Sequence, residues 1–405
     1  MVTMKIKKRL YDTLLAEHLN THHQMALVSG PRQIGKTTTC RRHTNAYANW
    51  DNSDDREQIL AGPAALIDAY GLNRLSKTTP TILFDELHKY PRWKQFLKGF
   101  YDLYRDELNI IVTGSSRMDI YRRGGDSLMG RYFMYRMHPF SVAEILCQDL
   151  PNPEKIIRAP RQIKESEFSA LWSHGGYPEP FLKRDERFSR RWQSLRTHHL
   201  VREDIRDLTQ VQYLDQLETL TTLLNQHSSQ QLTYSKLARK IRVSVDTLRR
   251  WIDILCQLHM GYLVRPWYKN VSRSLRKEPK WFLRDWASID DPGRRAETFI
   301  GCHLLKAIEG WTDMGLGNFQ LAYLRDKNQR EVDFVIIRDQ KPWLLVEVKH
   351  RDDSLSKTLG YYQQQLDAPF AFQVVIDTEY VDADCFARPD KPIIVPARTF
   401  LSQLL

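Results

Sequence analysis

The chain has 405 residues, 42% apolar and 11% aromatic, with a formal net charge of +11 at pH 7. That composition excludes a disordered chain, the length predicts two or three cores rather than one, and the positive charge favours an anionic partner, most commonly nucleic acid. Five scattered cysteines (Cys40, Cys147, Cys256, Cys302 and Cys385) form no CxxC pair or Cys/His cluster, which excludes a zinc ribbon and a disulfide framework and fits a reducing compartment.

In chain order, Met1–Leu15 lacks the apolar stretch of a secretory signal, and Ile6, Leu10 and Leu14 fall four apart as on a short amphipathic helix. No apolar run approaches the roughly 20 residues of a bilayer span, so a cytoplasmic protein without a membrane partner is expected. From 25 to 140, strand candidates at Met25–Ser29, Ala46–Trp50, Thr81–Phe84, Asn109–Thr113 and Tyr132–Met137 alternate with helical stretches such as Lys36–His43 and Trp93–Tyr104. This alternation predicts an α/β domain with a parallel sheet. The three prolines of Leu150–Arg161 suggest a linker. Residues 165–224 read helical, with a break at Gly175-Gly176-Tyr177-Pro178. Residues 232–285 read as two helices and two short strands, and helix and strand mix again from 295 to the end. The expected division is 1–150 for the parallel-sheet domain, 151–230 for a helical linker region, 231–290 for a winged helix and 291–405 for a last α/β domain.

The strand Ala26-Leu27-Val28 runs into Gly30-Pro31-Arg32-Gln33-Ile34-Gly35-Lys36-Thr37, followed by Thr38. Glycines at this spacing let the backbone N–H groups curl toward phosphate oxygens, Lys36 can reach the β/γ-phosphates, and the Thr37 hydroxyl can ligate Mg²⁺. The apolar strand Thr81–Phe84 ends in Asp85 and Glu86. Asp85 is placed to hold Mg²⁺ through water, and Glu86 to orient and deprotonate the attacking water. A third strand, Ile110–Thr113, leads into Gly114-Ser115-Ser116, where Ser115 can sense the γ-phosphate. In Ser127-Leu128-Met129-Gly130-Arg131, Arg131 can stabilise the transferred phosphoryl group, either within its own chain or across a subunit contact. ATP and Mg²⁺ are the implied cofactors.

Taken in this order, GPRQIGKTT, ILFDELHKYP, IIVTGSS and SLMGR resemble a group of prokaryotic AAA-type ATPases that carry a C-terminal domain of unknown function. Gly175–Pro180 and Val201-Arg202-Glu203-Asp204-Ile205 also match that group. The resemblance covers nearly the whole chain. It implies that the strand before Ser115 lies between the other two, and it assigns the roles above to the matching residues.

Ser235–Ile252 reads as helix-turn-helix, with Ser244 capping a second helix whose buried face is Leu248, Trp251, Ile252 and Leu255. The loop after it carries Lys269, Arg273, Arg276, Lys277 and Lys280, a basic wing suited to DNA phosphates. Further on, Glu331-Val332-Asp333 and Glu347-Val348-Lys349 lie on two strands, and period two puts Glu347 and Lys349 on one face. An acid pair with a lysine is what metal-dependent phosphodiester cleavage requires. This resembles the PD-(D/E)XK, or restriction-endonuclease-like, fold. That resemblance makes Asp333 and Glu347 metal ligands and Lys349 catalytic. It adds Glu297 from the preceding helix and a polar contact from Gln364, with Val332 standing where the family usually has proline. The expectation is an ATPase coupled to a DNA-binding, metal-dependent nuclease. The alternative is an ATP-driven switch whose nuclease-like domain only binds nucleic acid or protein. Homo-oligomerisation stays open.

Overall fold

The structure is a computed structural model describing residues 7–114, 128–200, 214–267, 278–352, 354–388 and 390–405. It contains two compact units, one running to residue 138 and including 148–150, the other formed by 139–147 and 151 onward.

The first unit is a five-stranded parallel sheet of β1 (Met25–Ser29), β2 (Ala46–Asn49), β3 (Thr81–Asp85), β4 (Asn109–Thr113) and β5 (Tyr132–Arg136), in the order β2-β3-β4-β1-β5. β1 and β3 are buried along their whole length, which explains their unbroken apolar runs in place of an alternating pattern. β4 lies between β1 and β3, as the resemblance implies. The Trp93–Tyr104 helix buries Trp93, Leu97, Phe100 and Tyr101, a stripe at helical spacing, against the core containing Phe84 and Val112.

The second unit joins regions that the sequence seemed to separate. The helix Tyr234–Ile241 ends at Arg242 in the left-handed conformation, and Ser244 Oγ caps the next helix, Val245–Gln257, by accepting from Thr247 N at 3.1 Å. The expected face of Leu248, Trp251, Ile252 and Leu255 is buried. The strands that follow belong to a mixed sheet of eight, from β6 (Gln230–Gln231), β7 (Gly261–Pro266) and β8 (Lys280–Leu283) to β9 (Phe319–Arg325), β10 (Glu331–Arg338), β11 (Lys341–Lys349), β12 (Phe370–Val375) and β13 (Ile393–Pro396), in the order β13-β12-β11-β10-β9-β7-β8-β6. β7 pairs in parallel with β9, so the wing strands and the C-terminal strands form one sheet. The helix Pro292–Asp313 packs on it, and a side chain at Gly301 would collide with Tyr262 and Phe334. The stretch suspected as a linker is irregular but tied down: Arg158 N donates to Gln403 O, Gln403 Nε2 donates back to Arg158 O, and Arg161 N donates to Ser402 Oγ.

Within this unit the Lys306 ammonium, 2% exposed, donates to the carboxylate of the fully buried Glu144 and to Pro139 O at 3.0 Å. Removing one partner of a buried pair leaves a charge in a dry interior. Glu144→Ala is therefore expected to destabilise the protein by about 3–5 kcal/mol. Glu144→Leu combined with Lys306→Met should recover most of that loss. Urea unfolding of both variants measures it.

Candidate functional sites

In the first unit, β1 delivers the chain into the phosphate loop. Gly30 takes φ +149°, and a Cβ there would lie 2.4 Å from Met137 O, so only glycine fits. Gln33 (φ 62°) and Gly35 (φ +96°) complete the curl, while Ile34 is fully buried and anchors it. Lys36 lies folded onto the loop, its Nζ donating to Gly30 O and Pro31 O at 2.9 Å each. Burial pushes its pKa down to about 8, although Glu86 and Asp85 counteract part of that effect. Thr38 and Arg32 are exposed, and Thr37 is half-buried.

At the end of β3, Asp85 accepts three hydroxyls: Thr37 Oγ1 at 2.8 Å, Tyr47 OH at 3.0 Å and Thr113 Oγ1. Glu86 sits in the left-handed region at φ 54°, with His88 Nε2 at 3.7 Å and Lys89 Nζ at 3.5 Å from its Oε2. The structure thus gathers Lys36, Thr37, Asp85 and Glu86 at the carboxyl ends of β1 and β3. The hard oxygens of Thr37 and Asp85, already joined, are a donor set that suits Mg²⁺. Ser115 lies outside the described residues.

Arg131 is placed elsewhere. It precedes β5, where Tyr132 pairs with Met25, whereas the phosphate loop follows Ser29 at the other end of β1. The four steps from Met25 to Ser29 put Arg131 roughly 13 Å away along the strand. Its guanidinium is held by Asp102 at 2.8 and 3.1 Å. The expectation that Arg131 reaches the phosphoryl group within its own chain is corrected on this geometry. A residue not anticipated is Arg9, 3% exposed, which braces the loop by donating to Ile34 O at 2.9 Å and His138 O at 2.6 Å. A single arginine in a basic leader gives no sequence signal for this role.

The second unit brings Glu297, Asp333, Glu347 and Lys349 together. β10 and β11 pair antiparallel with Phe334 opposite Val346, which sets Asp333 beside Glu347. Asp333 Oδ2 accepts Val348 N at 2.9 Å, and Lys349 Nζ lies 3.0 Å from Glu347 Oε1. Gln364 is exposed, while its neighbour Gln363 is buried. The cluster also contains Lys280, assigned above to the basic wing. That assignment is corrected: Lys280 is 4% exposed, and its Nζ lies 2.5 Å from Glu331, 3.4 Å from Asp333 and 3.8 Å from Glu297. Burial opposes its charge, but Asp333, Glu297 and Glu331 outweigh burial and raise its pKa. Burial first, and Asp333 second, push both Glu297 and Glu347 above the usual carboxylate range. Among the described residues, no group of three or more His, Cys, Asp or Glu side chains is arranged to hold a metal ion. The sequence did contain a signal for Lys280, a lone charge opening the otherwise apolar strand Trp281-Phe282-Leu283. The other wing residues, Lys269, Arg273, Arg276 and Lys277, and the Val201–Ile205 motif lie outside the described residues.

Beside this cluster a groove of about 1050 Å³ is lined by Trp267, Tyr323, Arg325, Arg330, Tyr361 and Gln365, among others. Arg325 also pairs with Glu331 at 3.1 Å, and Arg330 lies 3.9 Å over the Tyr361 ring. Among the described residues no helix is long and apolar enough to cross a membrane.

Three family models match the chain: an AAA domain over residues 22–146, a domain of unknown function (DUF8612) over 165–288 and a domain of unknown function (DUF4143) over 292–395. Among curated proteins the chain is similar to the uncharacterized protein Rv2008c of Mycobacterium tuberculosis, at 25% identity over 268 residues, 64% of this chain and 54% of that one. It is also similar to the uncharacterized protein MJ1637 of Methanocaldococcus jannaschii, at 23% identity over 68% of this chain and 65% of that one. The chain thus spans about half the length of the mycobacterial relative. Among solved structures, the Aeropyrum pernix ORC1 protein in complex with DNA aligns with a TM-score of 0.33 at 13% identity, covering 70% of this chain and 91% of that one. PCH-2 of C. elegans aligns with a TM-score of 0.24 at 15% identity, covering 40% of this chain and 44% of that one. Likeness at these scores carries no functional weight. The first unit is an AAA-type P-loop α/β domain, and the chain continues into a further α/β region.

Two outcomes follow for the phosphate loop. Lys36→Ala should abolish Mg-ATP binding in a folded protein, measured by isothermal titration. In the wild type, a lysine neutral above pH 8 must take up a proton to meet a polyphosphate. Affinity should therefore fall as pH rises through about 8, by up to tenfold per unit. Titrations in buffers of different ionisation enthalpy should show proton uptake on binding.

Proposed function

We propose that this protein is an ATP-hydrolysing switch whose C-terminal unit, arranged like a nuclease, engages a nucleic acid, with DNA favoured. The observation that carries the first half is the convergence of Lys36, Thr37, Asp85 and Glu86 at one end of the parallel sheet. ATP would displace the Gly30 and Pro31 carbonyls from Lys36, whose ammonium then meets the β/γ-phosphates. Thr37 and Asp85 would hold Mg²⁺, which supplies charge neutralisation at the phosphates when bound. Glu86 would accept the proton of the attacking water, drawn from its contacts with His88 and Lys89. Asp85, fixed by three hydroxyls, would keep its orientation throughout the cycle.

Support for the nucleic acid is the net charge of +11, the capped helix-turn-helix and the groove lined by Trp267, Tyr361, Arg325 and Arg330, since aromatic faces and guanidinium groups suit stacked bases. A second reading, metal-dependent cleavage, is favoured by the convergence of Glu297, Asp333, Glu347 and Lys349. Lys280 at the centre of that cluster weighs against it. Cleavage assays on several DNA and RNA forms with Mg²⁺ or Mn²⁺ separate the readings: Asp333-dependent products establish the nuclease and overturn the switch.

Glu86→Gln keeps the shape of the site and the Asp85 carboxylate while removing the base. ATP should bind with unchanged affinity while hydrolysis falls by roughly 10²–10⁴-fold. Steady-state phosphate release, compared with titration of the same variant, checks this, and equal turnover removes Glu86 from the mechanism.

A further inference from the structure

The carboxylate cluster of the second unit, on the fold it resembles, would hold a divalent cation between Asp333 and Glu347. The chain supplies a cation of its own to part of this cluster: Lys280 contacts Asp333, Glu331 and Glu297, while Glu347 Oε2 and Glu297 Oε2 are buried without a hydrogen-bond partner among the described residues. Lys280 opens β8 opposite Val264 of β7, and its side chain reaches across the Tyr323 ring, with Nζ 5.5 Å from the ring centroid. It ends among Glu331, Asp333 and Glu297, which belong to β10 and to the Pro292–Asp313 helix. Asp333 is then spent on two donors, Lys280 through Oδ1 and Val348 N through Oδ2. Glu347 is engaged by Lys349, and Glu331 by Arg325 as well as Lys280.

We propose that Lys280 is the resident cation of this acid cluster and keeps a divalent metal out of it. The inference rests on the switch reading and deepens it by stating why such a fold would bind without cutting. An ammonium offers one charge and three donors. It offsets the repulsion among Glu331, Asp333 and Glu297, but it can neither bind a water as a ligand nor polarise a phosphodiester as a Lewis acid. A metal entering here must displace a 95%-buried lysine side chain from three carboxylates and leave that ammonium without them. The same ion pairs fasten β8 to β10 and to the helix, so the device also holds the wing strands to the C-terminal strands.

The test uses the full chain without nucleotide and Mn²⁺ alone as probe. Calorimetric titration should give the same isotherm for wild type, Asp333→Asn and Glu347→Gln. Mn²⁺ binding in the wild type that either substitution removes overturns the proposal. Lys280→Met should melt roughly 6–20 °C lower than the wild type, the range for a buried pair broken in a unit of this size, and Mn²⁺ should restore part of the loss. A Lys280→Met protein that melts like the wild type, or that shows no response to Mn²⁺, means that the lysine is not what keeps metal out. The first arm needs no variant at Lys280 and can overturn the proposal even if Lys280→Met does not fold. Wild-type Mn²⁺ binding with no cleavage sinks this inference alone, whereas Asp333-dependent cleavage sinks the switch reading with it.

Discussion

A charge placed in a dry interior must be met by an opposite one, and the helix Pro292–Asp313 satisfies that requirement at two levels. Near its start, Glu297 faces Lys280. Further along, Lys306 meets Glu144, and between them the neutral His303 ring accepts Val142 N at 3.2 Å while its other nitrogen bonds Phe299 O at 2.8 Å. Burial drives the His303 pKa down to about 3, in keeping with a ring used as an acceptor. The partners come from strands and loops far apart in sequence, so these pairs fix which segments assemble around the helix. Desolvating both partners cancels much of the attraction, so the net gain from such a pair is smaller than the cost of removing one partner.

The compact units do not divide where the family model ends. The AAA family model runs to residue 146, but the chain joins the second unit at Pro139, once β5 has ended at Arg136. The segment Val142–Leu146 carries Glu144, and with it the obligation to reach Lys306. A covalent tether thus leads from the edge strand of the P-loop sheet directly into the charge network of the second unit.

The two sites show opposite treatments of a lysine. Lys36 is buried against carbonyl oxygens, with its pKa lowered to about 8. Lys280 is buried among carboxylates, which favour its charged form. The first is a side chain waiting for an anion, and the second has its anions already. Side-chain chemistry is the same in both; the local field decides which one responds to a ligand.

Much of this was legible in the sequence because its signals are local. The glycine spacing of Gly30–Thr37 follows from steric limits on a few consecutive residues, and the apolar runs of β1 and β3 follow from burial on both faces. The cap at Ser244 and the face of Leu248, Trp251, Ile252 and Leu255 follow from helical period. The shared face of Glu347 and Lys349 followed from strand period, and the antiparallel pairing of β10 and β11 then set Asp333 beside Glu347. Other features depended on partners that no local pattern names. Arg9 braces a carbonyl 25 residues away, Arg131 falls at the far end of its strand beside Asp102, and Lys280 turns from a solvent-facing wing toward acids 17 to 53 residues distant. Sequence by itself determined which residues could carry charge or bind phosphate. Only the tertiary structure decided which charges meet, because the energy of an ion depends on how deeply it is buried and on what lies within a few ångströms, and both are set by the closing of the sheet.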